Sequence, residues 1–335
     1  MTQPNRFPMP IPFGWFFVHF SHELHTGDVK TLHYFGQELV LFRTEDGQPA
    51  LLDAYCPHQG AHLGFGGEVA GDAIRCPFHG WEYTADGRCK HIPYASQLPP
   101  KCKAGPVTRS YPVIEKNGVV WAWYHPEGAA PWFEVMEHEE FSQAGWCKPY
   151  VRDWRFASNP QEIAENGVDV AHFRFVHKMN AVPEGHTEYE GHIRRSSAEG
   201  RSNHTLPDGT VKEITRTIRT IQNGAGQKFT RITGAVDLAM MVLATPIEAD
   251  DVELRFVFTW PDAPEDSPQY QAALAAAKIT SGPDQGVEND IPIWQNKIYR
   301  SNPILCDGDG PVYRFRKYFE QFYVGYRMDA ANIKF

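Results

Sequence analysis

Short apolar-rich segments recur through the first 130 residues, at Gly14–Phe20, Leu39–Arg43, Ala50–Tyr55, Ala73–Cys76 and Val119–Tyr124. Between them stand Asp46-Gly47, Asp86-Gly87 and Asn117-Gly118, dipeptides suited to the positive φ angles of tight hairpin turns. Strands at such short spacing predict a small all-β domain, a sandwich or partial barrel. Pro126 to Pro131 is small, Pro-flanked and without apolar period, the character of a linker. It divides the chain into a domain over 1–130 and a second over 131–335.

The pattern then changes. Pro160 to about Ala171 has helical content, whereas Thr215–Ile221, Lys228–Gly234 and Val252–Thr259 alternate apolar and polar side chains, as half-buried strands do. Gln269 to Ile279 is Ala-rich and helical by propensity, and a further helix is expected from about Val287 to Tyr299. Strands followed by terminal helices predict an α+β domain with an antiparallel sheet flanked by helices.

Bulk composition narrows the function. The 335 residues carry 42% apolar and 22% charged side chains, an ordinary globular mixture long enough for two cores. A formal charge of −9 argues against a nucleic-acid partner, which needs a dense basic face. The apolar run Ile11–Phe20 is too short to span a bilayer, and no signal-peptide pattern opens the chain, so a cytoplasmic protein without a membrane span is expected. Six cysteines do not make a disulfide scaffold.

Two of those cysteines stand in a metal-type arrangement. Cys56-Pro57-His58 is followed, after seventeen residues, by Cys76-Pro77-Phe78-His79. Two Cys and two His in paired loops suit either zinc or a [2Fe–2S] cluster with histidines on one iron, and spacing alone does not choose. The loop contents CPHQGAHLG and CPFHGWEY do, because Pro and Gly fall where tight, metal-enclosing turns need them.

A second constellation follows in Glu165-Asn166-Gly167-Val168-Asp169-Val170-Ala171-His172-Phe173-Arg174-Phe175-Val176-His177. On a helix Asp169 and His172 share a face. His177 lies five residues beyond His172, about 140° further round an ideal helix. The helix must therefore end or distort near Phe173–Val176 if both rings are to meet one ion. Two histidines plus a carboxylate form the facial triad of non-haem Fe(II). Glu288 and Asp290 are candidates for the carboxylate, with Glu165 a third, and Asn166 and Glu165 are placed to orient the histidines.

The first pair of loops resembles the Rieske family, and the second segment resembles the Asp-x-x-His-x-x-x-x-His motif of Rieske non-haem iron oxygenases. The resemblance implies that Cys56 and Cys76 hold the buried iron of a [2Fe–2S] cluster and His58 and His79 the outer one. It implies His172, His177 and Asp290 as ligands of a mononuclear Fe(II), and Asp169 as the electron-transfer bridge to a neighbouring subunit's cluster, hence a head-to-tail homotrimer. Respiratory Rieske proteins carry an extra Cys in each loop, where this chain has Ala61 and Phe78. A potential near the low end of the Rieske range, roughly −150 to +300 mV, is the consequence.

Two longer stretches, AHLGFGGEVAGDAIRCPFHGWEY and the tail IPIWQNKIYRSNPILCDGDGPVYRFRKYFEQFY, resemble the steroid-oxidising branch, with 3-ketosteroid 9α-hydroxylase, cholesterol 7-desaturase and sterol demethylases. The resemblance implies a monooxygenase that uses O₂ on a lipophilic ring compound, with electrons from a separate NAD(P)H-dependent reductase, with or without a ferredoxin. Without a GxGxxG motif, no bound flavin or NAD is expected. Phe173, Phe175, Val176, Met240 and Met241 are candidate pocket walls, and Arg88, Lys90, Lys101 and Lys103 candidate reductase contacts. Oxidation of an aromatic acid or amine by the same machinery, and a bare electron carrier, are the competing readings.

Overall fold

Leu39, Val40, Leu41 and Phe42 are all fully buried, which is why this run shows no alternation: both faces of its strand are covered. The structure, a computed structural model, describes residues 6–180, 182–205, 210–234 and 236–327. It divides into two units, Trp15–Glu134 and a second made of Met1–Gly14 with Val135–Phe335.

The first unit is built of three small sheets. One orders Val29–Tyr34, Gln37–Arg43, Pro49–Asp53 and Ser110–Tyr111; another orders Glu68–Ala70, Ala73–Arg75, Glu82–Thr84 and Cys89–His91. The third places Val119–Tyr124 between Gly14–Phe20 and Val113–Lys116. The three turn dipeptides each close a hairpin within these sheets. Val40, Phe42, Leu52, Leu63, Ile74 and Tyr83 form a core that also contains Cys56 and Cys76, so the cluster loops grow directly from packed strands.

The second unit is organised by a seven-stranded antiparallel sheet. Its strands run in the order Tyr150–Phe156, Asp251–Thr259, Leu238–Glu248, Gln227–Thr233, Val211–Asn223, Ile193–Thr205 and Glu184–Glu190. Leu238, Met240, Val242 and Phe256 share one face with Ala273 and Ala277 of the helix Pro268–Ser281 and with Trp294. The small side chains of that Ala-rich helix let it lie close against the sheet.

Residues 6–14 pack with this second unit rather than with the first, unlike the 1–130 division read from the pattern. Arg6 donates from Nη2 to the Trp294 carbonyl at 2.6 Å and from Nε to Lys297 at 3.1 Å, and the Phe13 amide donates to Phe322 at 2.8 Å. These partners are nearly three hundred residues away, beyond the reach of local pattern. Among the described residues, no helix is long and apolar enough to cross a membrane.

Candidate metal centres

The two cysteine loops are copies of one conformation. In each, the cysteine amide donates to the carbonyl five residues on (Cys56 to Ala61, Cys76 to Trp81, both 2.8 Å). In each, the glycine four residues on donates back to the cysteine carbonyl (Gly60 at 2.8 Å, Gly80 at 3.0 Å). Gly60 and Gly80 hold φ of 76° and 71°, a region that costs other residues strain. The turns present Cys56 and Cys76 inward and leave His58 and His79 half-buried.

The histidine rings meet edge to face with centroids 4.8 Å apart, and His58 stacks on Trp81 at 4.4 Å. The Tyr83 hydroxyl lies 3.1 Å from Cys56 Sγ. Burial pushes the Cys76 thiol up, a cost that coordination removes because a ligating thiol is deprotonated by its metal. His79 Nδ1 is buried with no hydrogen-bond partner among the described residues, a ring nitrogen left for a metal bond. This donor set fits a Rieske cluster.

In the second unit, Asn159 caps the helix Pro160–Glu165, its side chain accepting from the Gln161 amide at 2.9 Å, with Pro160 in the first turn. The helix stops at Glu165, earlier than expected, and a second short helix covers His172–Phe175. It ends where the 140° argument requires, with Lys178 just beyond at φ 55°. That ending turns His177 back, so the two imidazoles stand 5.0 Å apart between centroids.

Asp290, at the start of the helix Ile291–Asn296, completes the group. Donor atoms of His172, His177 and Asp290 lie within 4.8 Å of one another. His177 Nε2 is 3.3 Å and His172 Nε2 3.9 Å from the Asp290 carboxylate. His172 Nδ1 donates to the Asp169 carbonyl, which puts the ring's lone pair on Nε2, and burial lowers the pKa of that ring. The Asn166 amide sits 3.0 Å from His172 Nε2 and donates to Asp290 Oδ1 at 3.2 Å. Two imidazoles and one carboxylate fit a divalent iron.

The other carboxylate candidates are engaged elsewhere. Glu165 accepts both arms of the Arg316 guanidinium, at 2.6 and 2.8 Å, so it does not orient a histidine. Glu288 accepts from Arg152 and Trp154, at 2.6 and 3.0 Å. Arg88 and Lys90 are exposed and ion-paired with Asp86 and Asp72.

The triad opens onto a cavity of about 440 Å³, within the usual range of about 300–1,000 Å³ for small-molecule sites. Phe173 and Met240 line it; Phe175, Val176 and Met241 do not. Strand alternation explains Met241, which is buried on the opposite face from Met240, and Phe175 projects outward, 77% exposed. Residues that periodicity did not single out also line it, among them Lys228, Arg216, Thr220, Thr230 and Ile218. The alternation of their strands was visible, but not that the inward face would carry polar groups.

Residues 14–112 match the Rieske [2Fe-2S] domain, and residues 122–323 match the 3-ketosteroid 9α-hydroxylase C-terminal domain. The 3-ketosteroid-9-alpha-monooxygenase oxygenase component of Rhodococcus rhodochrous is 33% identical, over 96% of this chain and 84% of its own length. The cholesterol 7-desaturase of Bombyx mori is 30% identical, over 95% and 71%. Apo dicamba monooxygenase superposes with a TM-score of 0.70 over 92% of this chain and 96% of its own, at 18% identity. The chain therefore belongs to the Rieske non-haem iron oxygenases, in the family defined by the 3-ketosteroid 9α-hydroxylase C-terminal domain.

Proposed function

We propose that this chain is the terminal oxygenase of a multicomponent system that hydroxylates, or otherwise oxidises with O₂, a steroid or similar lipophilic ring compound. The observation that carries the reading is the triad of His172, His177 and Asp290, gathered within 4.8 Å beside the cavity of a chain that also bears a Rieske domain. The steroid class is supported by the activities named for the two curated relatives.

In this reading Cys56, His58, Cys76 and His79 hold one [2Fe–2S] cluster per chain, and His172, His177 and Asp290 hold one Fe(II). Bound there, these groups supply single-electron delivery and O₂ activation. The protein's tasks are positional. Half-buried His58 and His79 form the edge through which electrons enter and leave. Asn166 keeps His172 and Asp290 in register, and the apolar walls hold the ring system and exclude water. Asp169 accepts a hydrogen bond from a Rieske histidine of a neighbouring subunit in a head-to-tail homotrimer. Electrons come from a separate NAD(P)H-dependent reductase, with or without a ferredoxin; no flavin or NAD is bound here. That the relative is an oxygenase component supports this division.

Mass spectrometry of products formed under ¹⁸O₂, with a surrogate reductase and a panel of steroids and aromatic acids, tests the reading. One labelled oxygen in a steroid product is expected; an unlabelled, desaturated steroid formed with O₂ consumption keeps the substrate class and changes the outcome. Label confined to an aromatic product overturns the substrate class.

A further inference from the structure

Lys228 lines the cavity from the strand Gln227–Thr233. No hydrogen bond or ion pair satisfies its ammonium among the described residues, whereas carboxylates hold other cations of this unit, such as Arg316, Arg231 and Arg152. An enclosed ammonium without a partner is expensive, and a folded protein keeps one where something else completes it.

The surroundings deepen the imbalance. Lys228 stands opposite Gln222, and Gln222 opposite Arg194, so the three form one row across neighbouring strands. Arg194 is fully buried, and its Nε, Nη1 and Nη2 have no hydrogen-bond partner among the described residues. Burial and the charge of Arg194 hold the Lys228 ammonium down to about 7, against the pull of Asp290. Asp290 lies near enough to be felt but makes no ion pair with Lys228, and a divalent ion at the triad would more than offset its charge. This part of the cavity therefore gathers two basic side chains with no anion beside them among the described residues, and an anion brought there would hold Lys228 in its charged form. One row further along, Thr220 and Thr230 lie side by side with hydroxyls 3.1 Å apart, and beyond them Ile218, Ile232 and Leu238 make an apolar wall.

Resting on the oxygenase reading above, we propose that Lys228 anchors a carboxylate carried by the lipophilic ring substrate. A neutral carbonyl would give the ammonium an acceptor but no opposing charge; a carboxylate supplies both. Arg216, which also lines the cavity without a hydrogen-bond or ion-pair partner among the described residues, is six residues from Gln222 along its strand, about 20 Å at roughly 3.3 Å per residue. It cannot serve the same group.

The test uses the protein loaded with both metals, kept anaerobic, and titrated calorimetrically with a 3-oxosteroid carboxylic acid and with its methyl ester. These match closely in shape and differ in charge. The acid should bind at least about tenfold more tightly, ~1.4 kcal/mol. Lys228→Met should erase that preference, Lys228→Arg should retain it, and Arg216→Met should leave it in place; iron content and cluster absorbance report that each variant is folded. Equal binding of acid and ester to the wild type, survival of the preference in Lys228→Met, or its loss in Arg216→Met would each overturn the anchor. The oxygenase reading fails separately: there, both compounds bind but neither is oxidised when reductase and O₂ are supplied.

Discussion

His172 is tied to Asp169 at two points: its ring Nδ1 donates to the Asp169 carbonyl, and its amide lies 3.4 Å from the Asp169 carboxylate. One aspartate thus orients a triad histidine through its main chain while its side chain, half-buried, keeps acceptor capacity for another donor. The two functions are separable by mutation, because the backbone carbonyl survives any substitution.

Asp169→Ala should therefore leave iron at three atoms per chain and the cluster reducible, while turnover falls by roughly 100-fold or more, the upper end of what loss of a supporting group costs. Iron analysis and steady-state rates with a reductase check it. A variant that turns over at the wild-type rate would exclude Asp169 as the electron bridge.

His172→Ala removes one of three donors from the group with Asp290. Iron should drop from three to two per chain, with the visible cluster spectrum intact. Retention of all three irons would reject His172 as a ligand.

Gly310 lies against the main chain of the triad segment. A Cβ at this position would stand 1.6 Å from the Val168 carbonyl oxygen, so Gly310→Ala must displace the Val168–Asp169 backbone. Lower occupancy of the mononuclear iron, with the cluster unaffected, is the expected result by iron analysis; Gly308→Ala, where the nearest atom is Cys306 Sγ at 3.8 Å, is the control that should keep it.

Buried His138 stacks on Phe229 at 3.9 Å, and desolvation lowers its pKa from 6.5 to about 4. The unfolded chain then binds a proton that the folded chain refuses, so stability is present above pH 6.5 and is lost as pH falls toward 4. The shift corresponds to up to about 3 kcal/mol at ~1.4 kcal/mol per unit. Melting temperatures across this range should fall less in His138→Phe than in the wild type; parallel curves would exclude His138 as the source.

What could be read in advance had local causes. The proposed cluster ligands sit within motifs of three and four residues, so Cys56, His58, Cys76 and His79 stand out without any tertiary information. The helix end before His177 follows from the angular geometry of a helix alone. Asp290 needed the family motif, since Glu288 two positions earlier is equally acidic and only the fold shows it held by Arg152 and Trp154. Met240 and Met241 are both expected as pocket walls, but period two puts neighbouring strand residues on opposite faces, and only the fold shows that Met240 is the one on the cavity. Gly310 on Val168 and Lys228 on the cavity depend on contacts between distant strands and loops, which leave no signature in neighbouring residues.

The chain enters and leaves its first unit at one place: Trp15 Nε1 donates to the Phe133 carbonyl at 2.8 Å. The Rieske unit is thus an uninterrupted insertion, whereas the catalytic unit is assembled from both sides of it. During synthesis the inserted unit holds its whole core once residue 134 has emerged, and domains generally fold as units from the N-terminal end. Its host must keep residues 6–14 waiting until Trp294, Lys297 and Phe322 arrive to receive them. Cluster assembly can accordingly precede completion of the iron pocket, and a chain interrupted late would be red-brown yet catalytically empty.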